Sequence, residues 1–432
     1  MMNIRFWWNS FIEIGYKNVT LICDPWINEI KAGYGWLPDV NYDLNKVNEK
    51  LKSSNYIYIS HIHYDHLDIQ LLKSIKFKKE MQFIIPKLKN KHLFKKLKSL
   101  GKYKIIELEP FSSLIIENNL KLILVPQINT NSDPSNIGID YDMDSSLIII
   151  NNDDGSSFFN MVDNPLSSKN INTIKNKLNI KNFDLTTLVC GAASQYPQSF
   201  LGINRESEKI RMTNIIFERC KQKLIALKSK YFIKAGGEYL IGQKYKNLEK
   251  FKVSLNQELL YKLSSESNSE YIKTNFYSII ELKDGLVKTK KIDYLGKLKL
   301  VNSVKKNKIN FTEAKVTNKY ITQLLVEAKL NFEKYKKNHI KNLDYDFSCK
   351  IIIFLYEDYP KVIKDNPFLV IENINNNSFN LIDPGVNTKR KLELHIPNNL
   401  LKDCILKKHS WNTALTSSTI LINRKPNIFN PK

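Results

Sequence analysis

The stretch Ser60-His61-Ile62-His63-Tyr64-Asp65-His66-Leu67-Asp68 follows directly on Asn55-Tyr56-Ile57-Tyr58-Ile59. The upstream run is apolar, β-branched and aromatic, and reads as a buried strand. It delivers three of the chain's seven histidines, with an aspartate among them, to one short loop. Neutral imidazole and ionised carboxylate together suit zinc, iron or manganese, and the set is too rich in nitrogen donors for calcium or magnesium. His61 and His63, two residues apart, can project together, while Asp65 and His66 follow as the loop turns toward a second position. A merely solvated His-rich loop is the competing reading, and it does not account for a cluster placed straight after a buried strand.

Working outward, strand-like runs precede the loop at residues 4–8, 11–16 and 19–23, with a helix at 44–51. The third run ends in Asp24-Pro25-Trp26, where Asp24 is either a turn residue or a carboxylate aimed at a site. Downstream, helices at 69–75 and 92–100 alternate with strands at 83–86 and 104–108, and strands follow at 114–116, 120–126, 146–150 and 157–162. The last of these ends in Asp163, repeating the pattern of Asp24. Asp140, Asp142 and Asp144 alternate ahead of the strand at 146–150, so an extended backbone puts all three on one side, either as a ligand source or as a capping and turn cluster. Beyond lie a strand at 183–190, the small-residue loop Gly191-Ala192-Ala193-Ser194, a long helix at 206–228 and a strand at 231–234 ending in Ala235-Gly236-Gly237. Strands and helices mixed in this order predict helices packed on sheets with ligands at strand ends.

From residue 243 to 309 the sequence is polar and Lys-rich and reads as an insertion. Asn310-x-x-Glu313 then opens a helix whose stripe is Val316, Tyr320, Leu324, Ala328 and Phe332. Strands at 350–356, 368–372, 378–382 and 391–395 and a helical stretch at 398–417 complete a C-terminal α+β module. The expected organisation is therefore a catalytic domain over 1–242, an insertion over 243–309 and a module over 310–432 packed on the first domain. His92, on a Lys-rich helix, reads as a surface residue, and His339, His395 and His409 stand alone and read as structural.

The formal charge of +23 comes from abundant Lys spread along the chain. The basic clusters lack the Arg-and-aromatic interleaving of a nucleic-acid groove, which argues for solvated faces over a polyanion partner and leaves room for a small anionic substrate. No apolar run reaches the length of a membrane span, and no signal peptide opens the chain. Five widely spaced cysteines without a C-x-x-C pair argue against a disulfide framework or a thiolate-held metal, and predict a cytoplasmic protein.

His61-x-His63-x-Asp65-His66 after a buried strand resembles the H-x-H-x-D-H signature of the metallo-β-lactamase superfamily. A narrower set of motifs resembles the catalytic part of CMP-N-acetylneuraminate hydroxylases and bacterial UDP-N-acetylmuramate hydroxylases: Asp24-Pro25-Trp26, Gly35-Trp36, Asp142-Met143-Asp144, Asn160-x-Val162-Asp163, Gly191-Ala192-Ala193-Ser194-x-Tyr196-Pro197 and Ser410-Trp411. The resemblance implies an αββα sandwich, α/β in class, with a dinuclear iron or zinc site, manganese being a third choice. It places His61, His63 and either Asp142 or Asp140 on one metal and Asp65 and His66 on the other, with Asp163 bridging. Asp65 and Asp163 then act in catalysis, Asp24 orients a ligand histidine, and Asp144 supports the ligands. No separate organic cofactor is implied. Three departures accompany the match. The sequence has no C-x-H … C-x-x-H pair for the Rieske domain of the hydroxylases, so electrons would come from a separate protein. Gln127 stands where the superfamily's third histidine falls, and no histidine follows Ala235-Gly236, leaving Glu238, His395 or His409 as replacements. The implied functions are an oxygenase-like reaction on a nucleotide-linked or acidic sugar, a metal-dependent hydrolysis of a phosphoester, lactone or amide, or a degenerate site that only binds.

Overall fold

Along the strand Leu120–Pro126, Leu122 and Leu124 face one apolar cluster while Ile123 and Val125 face another. The same division runs through the strand Ser145–Asn151, where Leu147 and Ile149 join the first cluster and Ile148 the second. A strand buried on both faces has to lie between two apolar layers, and that requirement organises this molecule. The computed structural model describes residues 1–28, 36–38, 40, 42–89, 91–116, 119–128, 144–192, 194–290, 320, 323–324, 350–356, 369–371, 379–380, 391–406, 408–409, 411–416 and 418–427.

Two large sheets stack face to face. The first runs, in spatial order, Leu286–Lys290, Ser278–Lys283, Met2–Trp8, Phe11–Tyr16, Val19–Cys23, Tyr56–Tyr58, Gln82–Pro86 and Lys104–Leu108. The second runs Glu270–Tyr271, Tyr231–Lys234, Leu185–Leu188, Ser157–Asn160, Ser145–Asn151, Leu120–Pro126 and Ser113–Ile116. Between them lies a core that joins Ile4, Ile14, Leu21 and Tyr58 of the first sheet to Leu122, Leu147, Phe158 and Ile233 of the second. Helices α1 (Leu44–Ser53), α2 (Ile69–Ser74) and α3 (His92–Lys98) cover the outer face of the first sheet through Val47, Leu51, Leu71, Leu72, Leu93 and Leu97. Helices α4 (Ser168–Leu178), α5 (Arg205–Leu227) and α6 (Gln257–Ser267) cover the second through Ile171, Ile174, Phe217, Leu224, Leu260 and Leu263. The fold is an αββα sandwich.

The Lys-rich stretch expected to be an insertion is, as far as residue 290, part of this sandwich. Ile4 pairs with Ile280 and Met2 with Leu282, and both partners are fully buried. The hairpin turns at Asp284-Gly285, both left-handed (φ 52° and 68°), the backbone that two-residue hairpin turns prefer. Lysines on the outward positions mask the alternation that places Ile280 and Leu282 inside. Residues 291–309 lie outside the described residues. So does most of the stripe expected from Val316 to Phe332, of which only Tyr320 and Leu324 are described.

A third sheet runs Phe200–Leu201, Leu421–Lys425, Lys391–Pro397, Lys350–Tyr356, Leu369–Ile371 and Phe379–Asn380. Its first strand comes from the expected N-terminal domain, so the two parts share a sheet, with helix α7 (Asn398–Ile405) against it and helix α8 (Trp411–Thr416) beside α7. Among the described residues no helix is long and apolar enough to cross a membrane.

Candidate metal centre

The neighbouring strands Val19–Cys23 and Tyr56–Tyr58 of the first sheet run parallel, so the loops that follow them emerge at one edge. Leu185–Leu188 runs parallel to its two neighbours, Ser157–Asn160 and Tyr231–Lys234, in the second sheet. Asp24, the 60–68 loop, Asp163 and Gly236 all follow such strands. The edges are tied together by Ser145, whose Oγ donates to Ser60 O at 2.8 Å and lies 2.7 Å from the Tyr58 hydroxyl.

Asp24 leaves its strand in the left-handed region (φ 43°), where a short polar side chain is tolerated better than most. Its buried carboxylate accepts from Ser60 N at 2.8 Å and from Ser60 Oγ at 2.7 Å, and lies 3.0 Å from His66 Nδ1. With Nδ1 engaged, His66 presents Nε2 to the interior. Ser60 Oγ is also 2.9 Å from His61 Nδ1. Because this hydroxyl spends its hydrogen on Asp24, His61 Nδ1–H is the donor to it, and Nε2 of His61 is the nitrogen left for other work. The loop then closes on itself through His66 N and Leu67 N, which donate to His63 O at 3.1 and 2.8 Å. Asp68, the last residue of the motif, is structural: it caps α2 through Leu71 N and accepts from Asn28 N, both at 2.9 Å.

Two groups of donor atoms gather here, His61 with His63 and Asp144, and His61 with His66 and Asp163, each lying within 4.8 Å of one another. His61 Nε2 is 2.8 Å from His63 Nδ1 and 3.6 Å from Asp144 Oδ1. His66 Nε2 is 3.3 Å from Asp163 Oδ2 and 3.5 Å from Asp65 Oδ2. Donors that share one ion at bonds of about 2.0–2.2 Å lie roughly 3–4 Å apart, so these spacings fit. One imidazole nitrogen binds one ion. His61, common to both groups, can therefore complete only one of them, and Asp65, 3.5 Å from His66 Nε2, stands beside the second. The second oxygen of Asp163 is buried without a hydrogen-bond partner, which is costly unless a ligand completes it.

Electrostatics divides the histidines. Burial, with His66 and His63 as charged neighbours, holds His61 well below its ordinary value. Burial also lowers His63, against the pull of Asp65. For His66 burial acts downward as well, but Asp65, Asp163 and Asp24 together outweigh it and raise it well above the ordinary range. Asp65 is lowered: burial opposes ionisation, and the His66 charge overcomes that opposition. In the metal-free fold His66 is thus the histidine of the three whose charged form its surroundings favour, and a cation bound at its Nε2 would have to displace that proton.

Of the aspartates expected to complete the first metal, Asp140 and Asp142 lie outside the described residues, while Asp144, expected only to support the ligands, is the one beside His61 and His63. Its position before a strand that starts at the same edge was the available signal. Glu238 does not take the place of the late histidine: it pairs with Lys234 Nζ at 2.5 Å. His395 stacks on Phe354 in the third sheet at 4.7 Å, and His409 lies 3.8 Å from Asp403. Gln127 occupies the third-histidine position with both side-chain polar atoms buried and without partners, while its backbone N donates to Asp144 O at 3.1 Å. Val162, left-handed (φ 51°) despite its β-branch, turns the chain into Asp163, a strained backbone of the kind that functional sites hold.

No family model matches the chain, and no curated protein sequence matches it. Solved structures similar to it include CmlA, a diiron β-hydroxylase from Streptomyces venezuelae, at 12% identity and a TM-score of 0.44, over 65% of this chain and 54% of that one. Igni18, a metallo hydrolase from Ignicoccus hospitalis, is similar at 13% identity and a TM-score of 0.42, over 67% and 99% of the two chains. YhfI, a metallo-β-lactamase-fold protein from Bacillus subtilis, is similar at 11% identity and a TM-score of 0.40, over 64% and 98%. The chain spans about half the length of CmlA.

Proposed function

We propose that this chain is a metal-dependent enzyme acting on a small molecule, with two metal positions at the sandwich edge. The observation that carries the reading is the pair of donor groups, His61/His63/Asp144 and His61/His66/Asp163, gathered where strands of both sheets end, with Asp65 3.5 Å from His66 Nε2. Each group combines histidine with carboxylate, and two histidines with one carboxylate are a donor set typical of non-haem iron, harder than an all-histidine zinc site. On that ground the favoured chemistry is oxygenase-like, on a nucleotide-linked or acidic sugar, with electrons from a separate protein. A bound metal would supply Lewis acidity and lower the pKa of water.

The chain's own residues do the rest. Asp24 and Ser60 fix the rear nitrogens of His66 and His61, so the metal-facing nitrogens are oriented before any ion arrives. Asp65, held ionised beside His66, is placed to accept a proton from a substrate hydroxyl or a water. Asp163 brings one oxygen toward His66 and keeps a second that the fold leaves unsatisfied. Hydrolysis of a phosphoester, lactone or amide is the second reading, favoured by the same ionised Asp65, which could deprotonate water as readily as hold a hydroxyl.

Metal analysis of protein purified without oxygen, comparing wild type with His63→Ala, separates these. Two irons per chain, falling to one or none in the variant, together with oxygen uptake in the presence of a sugar nucleotide and a reductant, is the expected result. Two zincs would select hydrolysis, and one metal or none in the wild type would overturn the dinuclear proposal in favour of a site that only binds.

A further inference from the structure

Two cysteines far apart in the sequence meet where α5 covers the second sheet. Cys190 lies just past the strand Leu185–Leu188 and opens the Gly191 loop, and Cys220 lies on α5. Cys220 Sγ is 3.5 Å from Val189 O, the carbonyl of the peptide that leads into Cys190, and Cys190 Sγ is 3.4 Å from Leu188 O. Sulfurs held on consecutive carbonyls of one strand end are near neighbours, and the two side chains interact through a hydrogen bond. Both are free thiols.

Their surroundings differ. Cys190 is fully buried, and burial above all, with Cys220 beside it, raises its thiol well above the ordinary range. For Cys220 the hydrogen bond with Cys190 acts most strongly and lowers it; burial opposes, and the charges of Lys223 and Arg219 lower it further. The thiolate is the nucleophilic form of cysteine. Cys220, 2% exposed, is also the one of the two that lines an opening, a cavity of about 510 Å³ shared with Arg219, Lys223 and Asp163. Cys23 and Cys404 stand in contrast. Burial raises Cys23 well above the ordinary range, and burial with Asp403 pushes Cys404 up to about 12.

We infer that Cys190 and Cys220 are a redox-active pair, with Cys220 the thiol that hydrogen peroxide oxidises and Cys190 the one that resolves the product into a disulfide. The Cys220 thiolate attacks one peroxide oxygen and breaks the O–O bond, leaving a sulfenic acid and a hydroxide, which takes up the proton that Cys220 released. The Cys190 sulfur then displaces the sulfenic hydroxyl, forming the S–S bond as the S–O bond breaks, and its proton leaves with that hydroxyl as a second water. Two thiols are oxidised and one peroxide is reduced to two waters. The bond ties α5 to the strand end from which the Gly191 loop starts, two walls of the cavity that Asp163 also lines. A reversible disulfide of this kind is compatible with a reducing compartment, where a structural framework is not. Nothing in the inference depends on what the metal centre does.

The test is peptide mapping by mass spectrometry of the reduced full chain after exposure to hydrogen peroxide, with a chelator present so that bound metal does not decompose the oxidant. A linked peptide joining Cys190 to Cys220 within one chain, two hydrogens lighter and restored by dithiothreitol, is expected. It should form about tenfold or more faster than Cys23 or Cys404 is oxidised. In Cys190→Ala, Cys220 should gain one oxygen as a sulfenic acid, and in Cys220→Ala, Cys190 should stay reduced over the same time. The absence of the linked peptide, linkage only between chains, equally fast oxidation of Cys23 or Cys404, or ready oxidation of Cys190 without Cys220 would overturn the inference. The wild-type map decides the pairing by itself, so a variant that fails to fold leaves the test intact.

Discussion

Asp24 touches no substrate in this arrangement, yet it sets the direction of His66. Its carboxylate is fully buried, and burial raises it, while His66 and Ser60 offset part of that cost. Replacing it by a neutral amide of the same size keeps the packing and removes the charge that anchors Nδ1. Asp24→Asn is therefore expected to lower metal affinity about 10–100-fold, read by competition with a chromophoric chelator; unchanged affinity would show that His66 is held by other means. Gly236 works at the same scale. At φ 85°, a Cβ there would sit 2.8 Å from Val189 Cγ2 and 3.1 Å from Asp163 Oδ1, so the absence of a side chain lets the loop close against the site. Asp24 and Asp163 were legible in the sequence as carboxylates after buried runs. The partner of each was not, because His66 Nδ1 and Gly236 reach them from distant strands.

The strand Ser278–Lys283 shows what a local reading misses among elements. Its inward residues, Ile280 and Leu282, are fully buried between the sheets, while Lys283 and, on the partner strand, Lys288 and Lys290 face water. Averaged over a window, the lysines hide a period-two pattern only a few residues long. Helix α4 is a similar case, an Asn- and Lys-rich segment whose start is fixed by the Ser167–Asn170 capping box and whose apolar face is Ile171 and Ile174. If the hairpin is integral, Ile280→Ala should cost about 2–5 kcal/mol, measured by urea denaturation. A cost below about 0.5 kcal/mol, typical of surface positions, would restore the reading of this stretch as an appendage.

For the molecule as a whole, the two classes of histidine make opposite demands on pH. His66 is raised in the metal-free fold, so its contribution to stability is present below the unfolded value of about 6.5 and is lost as pH rises through its folded value. His61 and His63 are lowered, so they take stability away as pH falls below about 6.5, where the unfolded chain binds protons that the fold refuses. Metal-free protein should lose stability on both sides of that region. Metal binding must expel the His66 proton, so apparent affinity should climb with pH, by about tenfold per unit, until His66 is neutral. Metal titrations from about pH 6 to 8.5 check this, and a flat profile would mean that His66 is already deprotonated or is no ligand.

The sequence by itself determined the centre of the candidate site: a buried strand that ends in His61, His63, Asp65 and His66 sets a candidate donor cluster within six residues, and the apolar run at 120–126 reads as a strand. Those signals are local, carried by neighbouring side chains and a short period. Tertiary structure alone decided which distant groups join them. It brought Asp144 to His61, paired Glu238 with Lys234, left His395 in another sheet, and set Arg219 and Lys223 on a wall of the cavity that Asp163 also lines. Such choices depend on strand order and on which helix covers which face, and neither leaves a mark on the residues that end up in contact.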